Sequence, residues 1–353
     1  MIKIKPLLEQ AQLPAARVLD RLPTFSQRAL VKLLAYPYDY PELDPLTACL
    51  MALKYKQGKA GFLAANTKMT RQNYEKQINL LSGCKTLIHQ IQDLRLPLAS
   101  GTLKARHYHP NPNKKLAMLV FYHGGGFVAG SLETHDEICR MFAKAMQVQV
   151  LSVQYPLAPE SSPQQVIDAC QHALQWVYEN RRQLNIYKGR IAVAGDSAGG
   201  NICAVVAARS INTVYAPQAQ LLIYPAIDFK CCYPSIHIFG YGLTLTACDV
   251  AQVKDLYAQQ HHVELDDPIV SPIYAELNPQ LAATFIVTAG HDVLHDEATF
   301  YAEKLAAHGC KVQYQNYLEQ AHGFLHLTPI SRQARKRSLD IAKQFKKFWF
   351  QQT

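Results

Sequence analysis

Long apolar runs are missing from this 353-residue sequence. The longest, such as residues 202–208, fall far short of the roughly 20 apolar residues that a transmembrane helix needs. The start of the chain also has no cationic stretch that leads into an apolar core of signal-peptide length. We therefore expect a cytoplasmic protein with no transmembrane segment.

Metal-ligand spacing is missing from the cysteines, and their count of nine is odd. Several of them, including Cys139, Cys170 and Cys203, fall within helical patterns, as expected of reduced thiols in a core. Cys231 and Cys232 are the one close pair, and adjacent cysteines rarely form a disulfide with acceptable geometry. The cysteines therefore indicate neither a metal site nor a disulfide framework.

Charge is the one strong bias in the composition, with 36 lysines and arginines against 27 acidic residues and a net charge of +9. Much of the excess lies in residues 332–347, which belong to a C-terminal segment with an apolar and aromatic stripe at helical spacing. We interpret this segment as a helix that packs its stripe on the core and leaves its basic face in water. Peripheral contact with an anionic membrane surface is the alternative. Nucleic-acid binding is not supported, because no aromatic-basic groove or known motif accompanies the charge.

Two kinds of pattern divide the chain. Residues 1–90 are helix-like, have proline-rich breaks and carry no catalytic grouping, so we predict a cap or cover segment. Residues 91–353 alternate between strand-like and helix-like stretches, which predicts an α/β domain with a doubly wound, mainly parallel sheet. Within it, residues 103–109 alternate like an edge strand. The stretch at about 228–281 is too long for one loop, and we predict a cap insertion at the C-terminal ends of the strands.

The most specific pattern lies around Ser197. A strand-like apolar run ends at the Gly-x-Ser-x-Gly turn of Gly195, Ser197 and Gly199, and a helix-like segment follows. So sharp a turn points the serine hydroxyl outward, and a Cβ at either glycine would collide with the adjoining strand or helix. We predict that Ser197 is a nucleophile and that the N–H of Ala198 stabilises the oxyanion that forms above it.

A second glycine-rich stretch, His123-Gly124-Gly125-Gly126-Phe127, directly follows a buried-strand pattern. Three glycines at a strand end are also consistent with a flexible turn. Since a nucleophile elbow lies downstream, however, these glycines are more usefully interpreted as backbone that turns its N–H groups towards a substrate. We predict that Gly124 and Gly125 join Ala198 as oxyanion donors, each worth about 10²–10³ in rate.

A serine nucleophile needs a base, and the base needs a carboxylate. Asp292 and His322 each follow a predicted strand, and the order Ser197, Asp292, His322 along the chain is the one expected of an α/β-hydrolase. We predict that these three residues form a catalytic triad. His326 and His291 are the fallback bases. We predict that Asp296 is a helix N-cap.

Four motifs together resemble the hormone-sensitive-lipase-like branch of the α/β-hydrolases, which includes bacterial carboxylesterases and arylacetamide deacetylase. They are His123-Gly124-Gly125-Gly126-Phe127, Gly-Ser-Leu-Glu-Thr-His-Asp at 130–136, Gly195-Asp196-Ser197-Ala198-Gly199-Gly200-Asn201 and His322-Gly323-Phe324. The resemblance covers nearly the whole chain. It implies esterase activity on short to medium acyl chains, no cofactor, and a helical cap built from the N-terminus and the insertion after Asp228.

Two stretches depart from that family's usual pattern. Pro156 stands where the family usually has an arginine, in Tyr155-Pro156-Leu157-Ala158-Pro159-Glu160. The stretch Asp292-Val293-Leu294-His295-Asp296-Glu297 replaces Asp-Pro-Leu-x-Asp-Glu and keeps every acidic position. The departures therefore leave the predicted triad intact.

Three classes of function fit these residues. The leading one is a serine carboxylesterase or lipase-like hydrolase whose partner is a small-molecule ester. An amidase or deacetylase would use the same triad, because both reactions pass through an acyl-enzyme. A non-catalytic small-molecule receptor on this fold is the third class, although a receptor has no need of all three triad residues. The sequence leaves the oligomeric state open, with a homodimer among the options.

Overall fold

The computed structural model describes residues 12–58, 61–81, 83, 85–98, 101–186 and 190–352. One eight-stranded sheet with the order β1-β2-β4-β3-β5-β6-β7-β8 forms its centre. The pairs β1–β2 and β2–β4 are antiparallel and all the other pairs are parallel, which confirms the predicted α/β class. The strands are β1 (Gln90–Leu98), β2 (Gly101–His109), β3 (Met118–Tyr122), β4 (Gln149–Gln154), β5 (Ile191–Asp196), β6 (Ala219–Ile223), β7 (Ala283–His291) and β8 (Val312–Ala321).

The prediction of an edge strand at residues 103–109 is wrong. These residues belong to β2, which pairs with β1 on one side and with β4 on the other. The edge strand on this side of the sheet is β1, whose side chains are mostly exposed or half-buried. Leu94, Leu96 and Leu98 alternate with Arg95 and Pro97 in β1, and a proline within such a run is typical of an edge strand.

Helices cover both faces of the sheet. Successive residues of β3 point to opposite faces, so that Val120 belongs to one buried cluster and Phe121 to the other. The helices are α1 (Gln12–Arg21), α2 (Thr24–Leu33), α3 (Pro45–Lys56), α4 (Thr67–Leu81), α5 (Asp136–Met146), α6 (Pro163–Glu179), α7 (Ala198–Arg209), α8 (Pro234–Phe239), α9 (Ala247–Tyr257), α10 (His295–Ala307) and α11 (Arg332–Phe350).

The basic C-terminal segment is helix α11, and its aromatic stripe is buried against the sheet. Phe345 and Phe348 lie 6.3 and 5.9 Å from Phe285 of β7, measured between ring centroids. Basic side chains on the opposite face, such as Arg335 and Lys343, are exposed. The interpretation as a packed helix with a solvated basic face is therefore confirmed. No helix among the described residues has the length and apolarity to cross a bilayer.

The N-terminal segment contacts the insertion that follows β6 through residues between its helices. Asp249 at the start of α9 accepts hydrogen bonds from the N–H groups of Phe62 and Leu63, both at 2.8 Å. The Tyr36 hydroxyl donates to the carbonyl of Gly242 in the insertion. The predicted boundaries, 1–90 for the cover and about 228–281 for the insertion, stay predictions, and residues 1–11 of the cover lie outside the described part of the chain.

Candidate active site

Ser197 lies in a sharp turn between β5 and α7. Its backbone has φ +55° and ψ −120°, a conformation that L-residues rarely adopt. A Cβ on Gly195 would lie 2.3 Å from the carbonyl carbon of Gly199, and a Cβ on Gly199 would lie 2.0 Å from the carbonyl oxygen of Tyr122. The steric reason for both glycines that was predicted from the sequence is therefore confirmed.

The structure brings the three predicted triad residues together from the ends of three strands. His322 Nε2 lies 2.9 Å from Ser197 Oγ, and His322 Nδ1 lies 2.7 Å from Asp292 Oδ2. The other carboxylate oxygen of Asp292 accepts the N–H of Leu294 at 3.0 Å, which orients the carboxylate. The side chains of Asp292 and His322 are only 1% and 10% exposed. This arrangement can remove a proton from the serine hydroxyl and stabilise the imidazolium that results.

The two fallback bases lie elsewhere. His291 Nδ1 hydrogen-bonds to the carbonyl of Leu318 at 2.8 Å. His326 Nε2 shares a hydrogen bond of 2.8 Å with the Tyr74 hydroxyl, and burial lowers the pKa of His326 to about 3. The structure therefore places His322, and neither alternative, within hydrogen-bond distance of the serine.

One of the three predicted oxyanion donors is wrong. The N–H of Gly124 donates to Asp196 Oδ1 at 2.9 Å, so this N–H is already engaged by a buried carboxylate. The N–H groups of Gly125 and Ala198 have no hydrogen-bond partner among the described residues, and the same holds for Gly126. The sequence could not exclude Gly124, because nothing in a run of three glycines tells which N–H faces a side chain from another strand.

We call residues 123–130 the oxyanion loop, after the role predicted for its glycines. This loop rests on a buried polar network that sequence reasoning missed. Asp196 lies 3.2 Å from His135 Nε2, and Thr134 Oγ1 lies 2.8 Å from the other ring nitrogen of His135. Burial alone would raise the pKa of Asp196, but the neighbouring His135 and the Gly124 N–H hold it below its ordinary value. The sequence signals for this network are the 130–136 motif and Asp196 in the 195–201 motif, and neither shows the role by itself.

Three of the described residues form a candidate set of ligands for a metal ion. The ligand atoms of His135, Asp196 and His326 all lie within 4.8 Å of one another. Each already has a partner, since His135 contacts Asp196 and His326 contacts Tyr74. A bound metal would have to replace these contacts and would disturb the carboxylate that engages Gly124. The absence of a metal and of a cofactor stays a prediction.

Asp296 is not the N-cap of α10, contrary to the sequence-based prediction. The N-cap residue of α10 is Leu294, and no side chain caps this helix end. Asp296 lies inside the first turn, where Oδ2 accepts the N–H of Ser235 at 2.8 Å. The Ser235 hydroxyl in turn donates to the carbonyl of Val293 at 2.9 Å. Asp296 therefore connects the insertion to the loop that carries Asp292.

A cavity of about 410 Å³ lies between the N-terminal helices and the insertion. Its wall is mainly aromatic and apolar, and it includes Tyr38, Met51, Tyr55, Tyr241 and Leu243. Met51 and Leu243 pack in one cluster with Ala321, the residue directly before His322. The cavity volume is typical of sites for small molecules.

Comparisons with known proteins agree with this geometry. A family model described as alpha/beta hydrolase fold matches residues 119–326. The chain is 34% identical over 322 residues to carboxylic ester hydrolase LipN of Mycobacterium tuberculosis, a match that spans 88% of this chain and 84% of that protein. It is 33% identical over 272 residues to an ethyl acetate hydrolase of Pseudomonas putida, spanning 75% and 85%. A solved structure of a hyperthermophilic esterase from the archaeon Pyrobaculum calidifontis superposes with a TM-score of 0.76 at 32% identity, covering 86% of this chain and 98% of that one.

Proposed function

From the premise that this chain belongs to the α/β-hydrolase fold family, as a carboxylic ester hydrolase of its hormone-sensitive-lipase-like branch, we propose that it cleaves short- to medium-chain acyl esters through Ser197. It is thus an enzyme, a serine hydrolase, and not a non-catalytic receptor. The observation that carries the proposal is the hydrogen-bonded series from Ser197 Oγ through His322 to Asp292.

The proposed reaction begins when His322 Nε2 accepts the Ser197 hydroxyl proton as Oγ bonds to the ester carbonyl carbon. The carbonyl π electrons move to the oxygen, and the N–H groups of Gly125, Gly126 and Ala198 stabilise the oxyanion. The tetrahedral intermediate then collapses, and the alcohol leaves with the proton from His322. Water attacks the acyl-enzyme in the same way, which releases the carboxylic acid and returns the proton to Ser197.

Gly126 takes the place of Gly124 in this proposal. The Gly124 N–H is engaged by Asp196, whereas the N–H groups of Gly125 and Gly126 are without partners among the described residues. Successive N–H groups in a glycine turn with positive φ form a concave anion site, and Gly125 and Gly126 have φ of +126° and +61°.

We further propose that residues 1–90 and about 228–281 form a cap over the substrate. Two observations support this proposal: the cavity of about 410 Å³ between these two segments, and the cluster in which its lining residues Met51 and Leu243 pack with Ala321, directly before His322. The name of the Pseudomonas putida relative, an ethyl acetate hydrolase, supports short acyl chains. A cytoplasmic location, a homodimer, and the lack of nucleic-acid and membrane partners stay predictions.

A series of p-nitrophenyl esters from acetate to palmitate, with the matching anilides, tests the substrate class. We expect the largest kcat/KM for a short or medium acyl chain and far slower cleavage of every anilide. A maximum at palmitate would contradict the proposed chain length. Anilides cleaved as fast as esters would favour the amidase that uses the same triad.

A further inference from the structure

Helix α4 contacts two loops of the proposed site at once. We propose that Arg71 and Tyr74, three residues apart on this helix, are positioning residues that align the oxyanion loop with the loop that carries His322. The proposal rests on the proposed function, because it assigns roles through the donors and the base named there. It gives the N-terminal segment a part in the chemical step beyond that of a cover.

Arg71 joins α4 both to the oxyanion loop, at Val128, and to the segment after β4, at Ala158 and Glu160. Its Nε donates to the carbonyl of Val128 at 2.7 Å, and its Nη2 donates to the carbonyl of Ala158 at 2.9 Å. The same guanidinium pairs with both oxygens of Glu160, at 2.9 and 2.6 Å. Since Glu160 is 60% exposed, this ion pair contributes little by itself, and the two carbonyl contacts carry the positioning.

The contact between Arg71 Nε and the Val128 carbonyl lies at the end of the turn that contains the proposed donors. The N–H groups of Val128 and Ala129 both donate to the carbonyl of Gly125, at 3.3 and 2.9 Å, and so close the turn. At the other end of the glycine run, Asp196 accepts the N–H of Gly124. The N–H groups of Gly125 and Gly126 therefore lie between two anchors, and Arg71 provides the second.

Tyr74 makes the corresponding contact with the loop after β8. Its hydroxyl shares a hydrogen bond of 2.8 Å with Nε2 of His326, four residues after His322. The His326 ring packs against that of His135 with centroids 4.7 Å apart, and His135 contacts Asp196. One turn of α4 thus contacts both the oxyanion loop and the loop that carries His322, since side chains three residues apart share a helix face.

This arrangement predicts a particular kinetic signature. Residues that line the cavity, such as Met51 and Tyr55, are expected to contact substrate in the ground state and in the transition state alike. Misplaced donors lose contacts that form only in the transition state, so kcat falls while KM changes little. A misplacement of about 1 Å can cost about 10² in rate.

The test compares Arg71→Ala, Arg71→Lys and Tyr74→Phe with Gln72→Ala, an exposed neighbour on the same helix, as the matched control. We expect Arg71→Ala to lower kcat by about tenfold or more with KM within about threefold, and added methylguanidinium to restore part of the kcat. Arg71→Lys should be intermediate, because one ammonium cannot reproduce the fork of the guanidinium. Tyr74→Phe should lower kcat by about threefold or more without a comparable change in KM. Gln72→Ala should behave as wild type, with or without methylguanidinium.

Two results would overturn the proposal. One is an Arg71→Ala enzyme and a Tyr74→Phe enzyme that both keep kcat within about twofold of wild type, whatever happens to KM. The other is a loss of kcat that methylguanidinium does not reverse and that matches the fraction of enzyme unfolded at the assay temperature. Ser197→Ala, measured in the same assay, separates these results from a failure of the proposed function, because only a wrong nucleophile would leave that variant active.

Discussion

Asp196 Oδ1 accepts the backbone N–H of Gly124 over 2.9 Å, so the residue that precedes the proposed nucleophile also anchors the start of the oxyanion loop. The carboxylate is buried, its Oδ1 also lies 3.2 Å from Nε2 of His135, and its Oδ2 accepts the Tyr224 hydroxyl at 3.4 Å. This hydrogen bond therefore helps to fix the position of the proposed oxyanion donors relative to Ser197. This contact, the triad geometry and the buried carboxyl group of Glu297 lead to four predictions in addition to the test of Arg71 and Tyr74.

Ser197→Ala should abolish turnover and leave the fold intact, because the change removes one oxygen from the turn between β5 and α7. A fluorophosphonate probe should label wild type at Ser197 alone, as determined by peptide mass spectrometry. Activity above about a hundredth of wild type in the purified variant would place the nucleophile elsewhere.

Asp196→Asn should lower kcat by about tenfold or more, since a neutral amide binds the Gly124 N–H and His135 more weakly than a carboxylate does. KM for a p-nitrophenyl ester should change much less. Asp168→Asn is the matched control, because Asp168 is a half-exposed carboxylate paired with Arg209 on the surface. Equal kinetics in the two variants would show that Asp196 does not position the loop.

Asp292→Asn should nearly silence the enzyme with little change in melting temperature. In the serine-protease template, loss of the triad carboxylate lowers kcat by about 10⁴, because the imidazole takes the wrong tautomer. Asp296→Asn should instead lower the melting temperature and keep most activity, since it weakens the contact with the Ser235 N–H. An inactive Asp296→Asn beside an active Asp292→Asn would reverse the assignment of the triad acid.

Glu297 should make stability depend on pH. It is buried and accepts the N–H groups of Ile227 and Asp228 at 2.6 and 3.3 Å, and burial raises its pKa from an ordinary 4.5 to about 8. Below about pH 4.5 the folded and unfolded chains both hold this proton. Between about pH 4.5 and pH 8 the folded chain holds the Glu297 proton and the unfolded chain has released it. The free energy of unfolding therefore falls as pH rises through this range.

Glu297→Gln removes this titration and keeps one carbonyl oxygen for the backbone donors. Melting temperatures of wild type and variant, measured between about pH 5 and 8, should diverge in favour of the variant as pH rises. The difference isolates Glu297 from other titrating groups, which both proteins share. Parallel curves across this range would mean that Glu297 is ionised in the folded protein.

The amino-acid sequence by itself determined the α/β class, the nucleophile elbow and the identity of the three residues that converge in the site. These features are local, because strand and helix periods appear within a few residues and the elbow needs glycine for reasons within one turn. The placement of Asp292 and His322 at strand ends followed from the same periodicity, since parallel strands present their C-terminal ends at one edge.

Only the tertiary structure decided which groups these residues contact. The partner of the Gly124 N–H is a side chain 72 residues away, and Arg71 and Tyr74 contact groups 57 and 252 residues away. Asp296 contacts the insertion rather than its own helix end, and β2 lies inside the sheet because β1 adds one more strand. Such contacts depend on where folding brings distant segments together, and no spacing of residues along the chain encodes the choice of one donor over its neighbour.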